Sequence, residues 1–168
     1  MKKVSLSIVV TIAVFLQSCG IYKFSGASIP LEMRTVTINF FENNAPLVVP
    51  YLSQLFTEAL KDRIRTQSRL SVVRADGDGI FEGRITDYSI APVAVTGNQR
   101  AGLNRLTITV SVKYTNAIKA DDSFEQSFTR YKEFDPSRQS IPDWERELIP
   151  EINRELTEDI FNRAFANW

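Results

Sequence analysis

The chain has 168 residues, 43% of them hydrophobic and 24% charged, and its 20 basic residues are balanced by 20 acidic ones, so it lacks the basic surplus that a nucleic-acid partner requires. It contains no histidine and one cysteine, which removes the commonest general base and metal ligand along with any intrachain disulfide. No Gly-rich phosphate loop or nucleophile elbow is present. Asp76-Gly77-Asp78-Gly79 lacks the continuing ligand spacing and closing glutamate of a calcium loop and reads as a tight turn. These absences point away from an enzyme and imply neither a cofactor nor a metal.

The chain begins with Lys2 and Lys3, an apolar run from Val4 to Leu16, and the sequence Leu16-Gln17-Ser18-Cys19. The run is shorter than the roughly 20 apolar residues that span a bilayer, and a small residue precedes the cysteine, as in a secretory signal. The segment resembles the lipobox of bacterial lipoproteins, with Gln17 an imperfect match. That resemblance implies a signal peptide over residues 1–18, acylation of Cys19, a lipidated tether over 19–34 and one domain over 35–168. Several acyl chains would hold the protein on a membrane without a spanning helix. The absence of Asp after Cys19 favours the outer membrane by the family's sorting rule. Losing Lys2 and Lys3 leaves the mature chain with two more acidic than basic residues.

Beyond the tether, Val36, Ile38 and Phe40 alternate with Thr35, Thr37 and Asn39, predicting a strand over Thr35 to Phe41. Pro50 suits the first turn of a helix. Leu52, Leu55, Phe56, Ala59, Leu60 and Ile64 then recur at helical spacing to about Thr66. A short strand follows at Leu70 to Val73. From Ile80 to Val93 the apolar parity switches near Thr86-Asp87, which predicts a bulge there. Ala94 to Asn104 reads as a hairpin loop. Leu106, Ile108, Val110, Val112 and Tyr114 then alternate with Thr107, Thr109, Ser111 and Lys113, giving one buried and one wet face. Ser123 to Phe134 is the next strand.

A helix is expected from about Asp143 to Asn167, with Ser140 as a cap and Pro150 as either a kink or the true first turn. Leu148, Ile149, Ile152, Leu156, Ile160 and Ala164 form its packing stripe. Phe161, Phe165 and Trp168 project from nearly the opposite side, where either the tether or a loop covers them or they make a docking face for another protein. The whole reads as an α+β fold: two helices packed on one face of a four- to five-stranded mixed, mostly antiparallel sheet.

Several runs together resemble the LptE family of lipopolysaccharide-assembly lipoproteins, in its Bacteroidota branch. They are Cys19-Gly20-Ile21-Tyr22-Lys23-Phe24-Ser25-Gly26, Leu52 to Asp62, Phe81-Glu82-Gly83-Arg84-Ile85-Thr86, Asn104 to Val110, Phe124 to Phe128 and Glu158-Asp159-Ile160-Phe161-Asn162. The resemblance implies a non-enzymatic protein on the periplasmic side of the outer membrane. There it would sit partly inside the lumen of an LptD β-barrel, help that barrel assemble and assist lipopolysaccharide delivery to the outer leaflet. For such a plug, Thr107, Thr109 and Ser111 supply a polar face toward the barrel, with Phe161, Phe165 and Trp168 as anchors. Arg100, Arg105, Lys113, Arg130 and Lys132 are the candidates for an anionic glycolipid, with solvated strand-face charges as the alternative for them. A second reading is a periplasm-facing lipoprotein module whose sheet holds a peptide or glycan without any barrel.

Overall fold

The computed structural model describes residues 29–47, 49–93 and 102–166. Cys19, Arg100 and Trp168, with the leader and most of the predicted hairpin loop, lie outside them. The elements run β1 (Thr35–Ile38), β2 (Glu42–Asn43), α1 (Leu52–Gln67), β3 (Ser71–Val73), β4 (Gly79–Pro92), β5 (Asn104–Asn116), β6 (Phe124–Phe134) and α2 (Ile141–Phe165). The sheet order is β3-β1-β4-β5-β6, with β2 also paired to β4. β1 is parallel to both its neighbours, whereas β4, β5 and β6 form an antiparallel meander. The expected α+β class holds, and with β2 the sheet has six strands.

The strand that alternates most regularly sits in the middle of that meander. Leu106, Ile108, Val110, Val112 and Tyr114 of β5 are fully or almost fully buried beneath the helices. The predicted bulge is present, because Ile85 faces Val110 and Asp87 faces Thr109, so Thr86 is skipped in the register. Phe81 and Ile85 before the bulge and Tyr88 after it therefore reach the same core. Two long antiparallel strands thus keep one continuous apolar face despite the switch in parity.

The first strand is shorter than its alternation suggests. Ile38 pairs with Phe81 and Glu42 with Arg84, so four residues advance along the first strand pair for three along β4. The extra residue reverses the parity: Phe40 is 59% exposed, and Phe41 is the ring that enters the core, in an edge contact with Phe56 of α1 at 5.0 Å.

α1 buries Leu52, Phe56, Leu60 and Ile64 at every fourth position, and α2 buries Leu148, Ile152, Leu156 and Ile160. α2 starts before Pro150 and runs through it, with a second proline, Pro142, in its first turn, where the missing N–H has no intrahelical partner to lose. A second row on α2, Ile149, Asn153, Thr157, Phe161 and Phe165, is also buried. Each of these residues follows a stripe position by one residue, about 100° around the helix, so the second row flanks the stripe instead of opposing it and widens the buried face. Phe161 and Phe165 are 5% and 3% exposed and pack against each other. Phe165 also meets Phe81 and Tyr114. These two rings form no outward docking face; they belong to the widened buried face of α2.

The chain enters the domain at a fixed point. Met33 is wholly buried, and the Arg69 guanidinium donates to the Pro30 and Ile29 carbonyls at 2.6 and 3.3 Å. The Asp-Gly turn supplies the other half of the attachment. Asp76 takes a φ of 55°, and Gly77 lies so close to the β1 backbone that a Cβ would stand 2.6 Å from the Thr37 nitrogen. One Asp78 carboxylate oxygen then accepts from Arg34 N, Thr35 N and Thr35 Oγ1 at 2.8–2.9 Å. The Asp-Gly turn is therefore a latch on the entering chain.

Backbone hydrogen bonds from Arg34, then Thr35, hold the Asp78 carboxyl below the usual carboxylate range. Its contribution is complete above the unfolded value of about 4 and is lost as pH falls through the depressed folded value. Asp78→Ala is expected to speed tryptic cleavage after Arg34 at neutral pH. The wild type should approach the variant's rate only after transfer to strongly acidic buffer, read with an acid-tolerant protease. Equal rates at neutral pH would remove the latch.

Candidate functional site: an open hydroxyl-lined sheet face

Because β-strand side chains alternate, burying the even residues of β5 presents its odd residues on the other side of the sheet. The β5–β6 register pairs Thr107 with Tyr131, Thr109 with Thr129, and Ser111 with Ser127. The result is a lane of hydroxyls along the open face. Thr109 and Thr129 share a hydrogen bond of 2.9 Å between their side-chain oxygens, and Thr86 donates to the Thr109 carbonyl at 3.3 Å. Thr107, Thr109 and Ser111 thus stand together on the solvent side, as their alternation predicts.

An ion pair closes each end of the lane. Arg105 binds Glu133 at 2.6 Å and lies over the Tyr131 ring, 4.1 Å from its centroid. That hydrogen bond to Glu133 raises the already high arginine pKa. Lys113 lies 3.7 Å from Glu82 and in register with Glu125. These residues border an open depression of about 390 Å³ that also meets Phe40, Glu42, Arg84 and Ser111.

The five basic candidates do not converge. Arg130 and Lys132 face Ile108 and Leu106 in the register and therefore stand on the helix side of the sheet. Arg130 makes a two-pronged pair with Asp159 at 2.6 and 2.7 Å, and Lys132 meets Glu155 at 2.6 Å. Hydrogen bonds to those two carboxylates are the main cause raising each pKa. Arg105 and Lys113 are on the opposite face. The four described candidates are thus split two and two, each with a carboxylate at hand, so the expected single anion cluster is absent among them. Residue parity carries this information: even residues of β6 pair with even residues of β5, the buried ones.

One polar cluster escaped the sequence reading. The Tyr88 ring is 1% exposed, and its hydroxyl donates to Glu145 of α2 at 2.5 Å. The Tyr51 hydroxyl at the start of α1 approaches the other Glu145 oxygen at 3.5 Å. Burial, then the bond to Glu145, pushes the Tyr88 phenol far up, so it remains a donor across the physiological range. A glutamate in an exposed-looking helical turn carries no sequence signal for this. Tyr88→Phe is expected to cost about 1.5–3 kcal/mol, the range for a hydrogen bond to a charged group. Urea denaturation checks it, and an unchanged midpoint would count against the tie.

A model of the LptE lipopolysaccharide-assembly family matches residues 33–164, nearly the whole described domain. The chain belongs to the LptE family. No curated protein sequence matches it. Among solved structures it is similar to a minor lipoprotein of Acinetobacter baumannii, at 12% identity and TM-score 0.51, covering 78% of this chain and 91% of that one. It is similar to lipoprotein B of Nitrosomonas europaea at 18% identity and TM-score 0.50, covering 83% and 87%. PelC of Paraburkholderia phytofirmans, a dodecamer, is also similar, at 10% identity and TM-score 0.50, covering 83% and 95%. At such identities these likenesses show the fold alone; the LptE match is what assigns the lipopolysaccharide-assembly role. Among the described residues no helix is long and apolar enough to cross a membrane.

Proposed function

We propose that this LptE-family protein is a non-enzymatic lipoprotein, acylated at Cys19 and held on the periplasmic side of the outer membrane. In this reading it partners an LptD-type β-barrel as plug and assembly factor and so assists lipopolysaccharide transport to the outer leaflet. The observation that carries it is the open face of β4, β5 and β6: a hydroxyl lane flanked on β4 by Arg84 and Asp87, in register with Ser111 and Thr109, and closed by ion pairs, a polar surface suited to the polar inner wall of a wide barrel. The chain enters at the start of β1, level with the start of β4, and β4 runs 14 residues away from it. The β4–β5 hairpin end therefore lies about 45 Å beyond the tether, long enough to extend into a barrel from an anchor at its periplasmic mouth. Lipopolysaccharide contact falls to Arg105 and Lys113 on this face, which must exchange a carboxylate for a phosphate.

Photo-crosslinking in cells tests this, with the probe placed in turn at Thr109, Ser111 and Lys113. The expected result is a band to one large outer-membrane barrel, and copurification of that barrel in mild detergent. An abundant, acylated protein that crosslinks to no barrel from any of these positions would refute the reading and leave the free lipoprotein module.

A further inference from the structure

The two borders of the sheet are built differently. β3 is three residues long and offers little to a further strand. β6 is eleven residues long, pairs with β5 over its whole length without a register shift, and has no strand on its outer side among the described residues. Phe124–Phe134 contains no Pro and no Gly. Borders of this length are usually blunted by proline, a bulge or outward charge, because their free N–H and C=O groups invite another strand.

Most of the charges of β6 are instead paired within the molecule. Arg130 is drawn onto Asp159 and Lys132 onto Glu155 of α2, while Glu133 is held by Arg105 and Glu125 stands in register with Lys113. Gln126, Ser127, Thr129 and Tyr131 are exposed and uncharged, and of the exposed charges Arg130 and Glu133 are paired while Glu125 faces Lys113 in register. The longest free border among the described strands thus presents hydroxyl and amide side chains between charges that are mostly engaged within the molecule, continuous with the hydroxyl lane.

We propose that β6 is a docking edge that takes an extended, uncharged polar segment of the barrel partner as an additional strand. The inference rests on the barrel reading above. Main-chain hydrogen bonds would hold the segment, and its hydroxyl-bearing side chains would extend the lane past Ser127 and Thr129. A second copy of this chain fits less well. In the antiparallel register that pairs all eleven residues, Glu125 would directly oppose Glu133 of the other copy, and like charges so placed repel.

Amide hydrogen exchange on the acylated full chain in detergent tests it, alone and in complex with the copurified barrel, alongside a photo-crosslinking probe at Gln126. In the free protein every second β6 amide should exchange quickly, since only alternate ones pair with β5. In the complex those amides should slow roughly tenfold or more, and Gln126 should capture the barrel. A complex in which the alternation persists, while Thr109 still crosslinks to the barrel, would overturn the strand addition and leave the barrel reading intact. Failure of any complex to form would overturn both. A free protein of dimeric size with the alternation already gone would assign the edge to a second copy and overturn the proposal.

Discussion

Phe165→Ala is expected to lower the stability of the domain by about 3–5 kcal/mol, the range for truncating a buried aromatic ring, and not to leave a well-folded protein with a weakened contact. The ring is 3% exposed and closes an aromatic cluster in which its centroid lies 5.2 Å from Phe161, 5.8 Å from Tyr114 and 6.0 Å from Phe81. Those contacts join the last turn of α2 to the central strands β4 and β5, so the cavity would open where three elements meet. Urea denaturation followed by circular dichroism gives the comparison, with Phe40→Ala as the control. Phe40 is 59% exposed, and its removal should stay within about 0.5 kcal/mol. A Phe165→Ala protein of wild-type stability that no longer copurified with a barrel would restore the outward docking role.

The contrast between Phe165 and Phe40 shows where local patterns stop carrying information. Element type was legible except at the two-residue β2, because the period-two alternation of β5 and the helical spacing of Leu52, Phe56, Leu60 and Ile64 each have one burial solution. The bulge at Thr86 was legible for the same reason, since an apolar face that changes parity within one strand must be reset. Orientation within an element was not. One extra residue after Ile38 exchanged Phe40 for Phe41, and a buried face of α2 wider than its one apolar stripe took in Phe165; both depend on what the rest of the fold places opposite. The site divides the same way. The hydroxyl lane followed from alternation within β5, whereas the partners of Arg130 and Lys132 followed from the register between strands and from where α2 lies. Glu145 and Tyr88, 57 residues apart, meet only through the folded chain.

Gly83→Val is expected to destabilise the domain by about 3 kcal/mol or more, the upper end of what overpacking costs. Gly83 shares the buried parity of Phe81 and Ile85, and the Phe41 ring fills the space that its missing side chain leaves. A Cβ there would stand 2.5 Å from Phe41 Cε1 and 2.2 Å from the Ser111 carbonyl oxygen. The first neighbour is a ring locked against Phe56, and the second belongs to the backbone of β5, so relief requires the central strand pair to part. Gly79 provides the internal comparison. A Cβ there would first meet the Tyr114 side chain at 3.1 Å, so Gly79→Ala should cost distinctly less than Gly83→Ala. Adding Phe41→Ala to Gly83→Val removes only the ring contact. The double variant should therefore remain less stable than Phe41→Ala alone, because the Ser111 oxygen is still in the way. Denaturant midpoints of the four proteins read this directly; if the double variant matched Phe41→Ala, the strand pair would have room that the geometry denies. Since Ser111 also borders the open face, the same displacement is expected to weaken capture by the Ser111 crosslinking probe, tying the packing beneath the sheet to the surface above it.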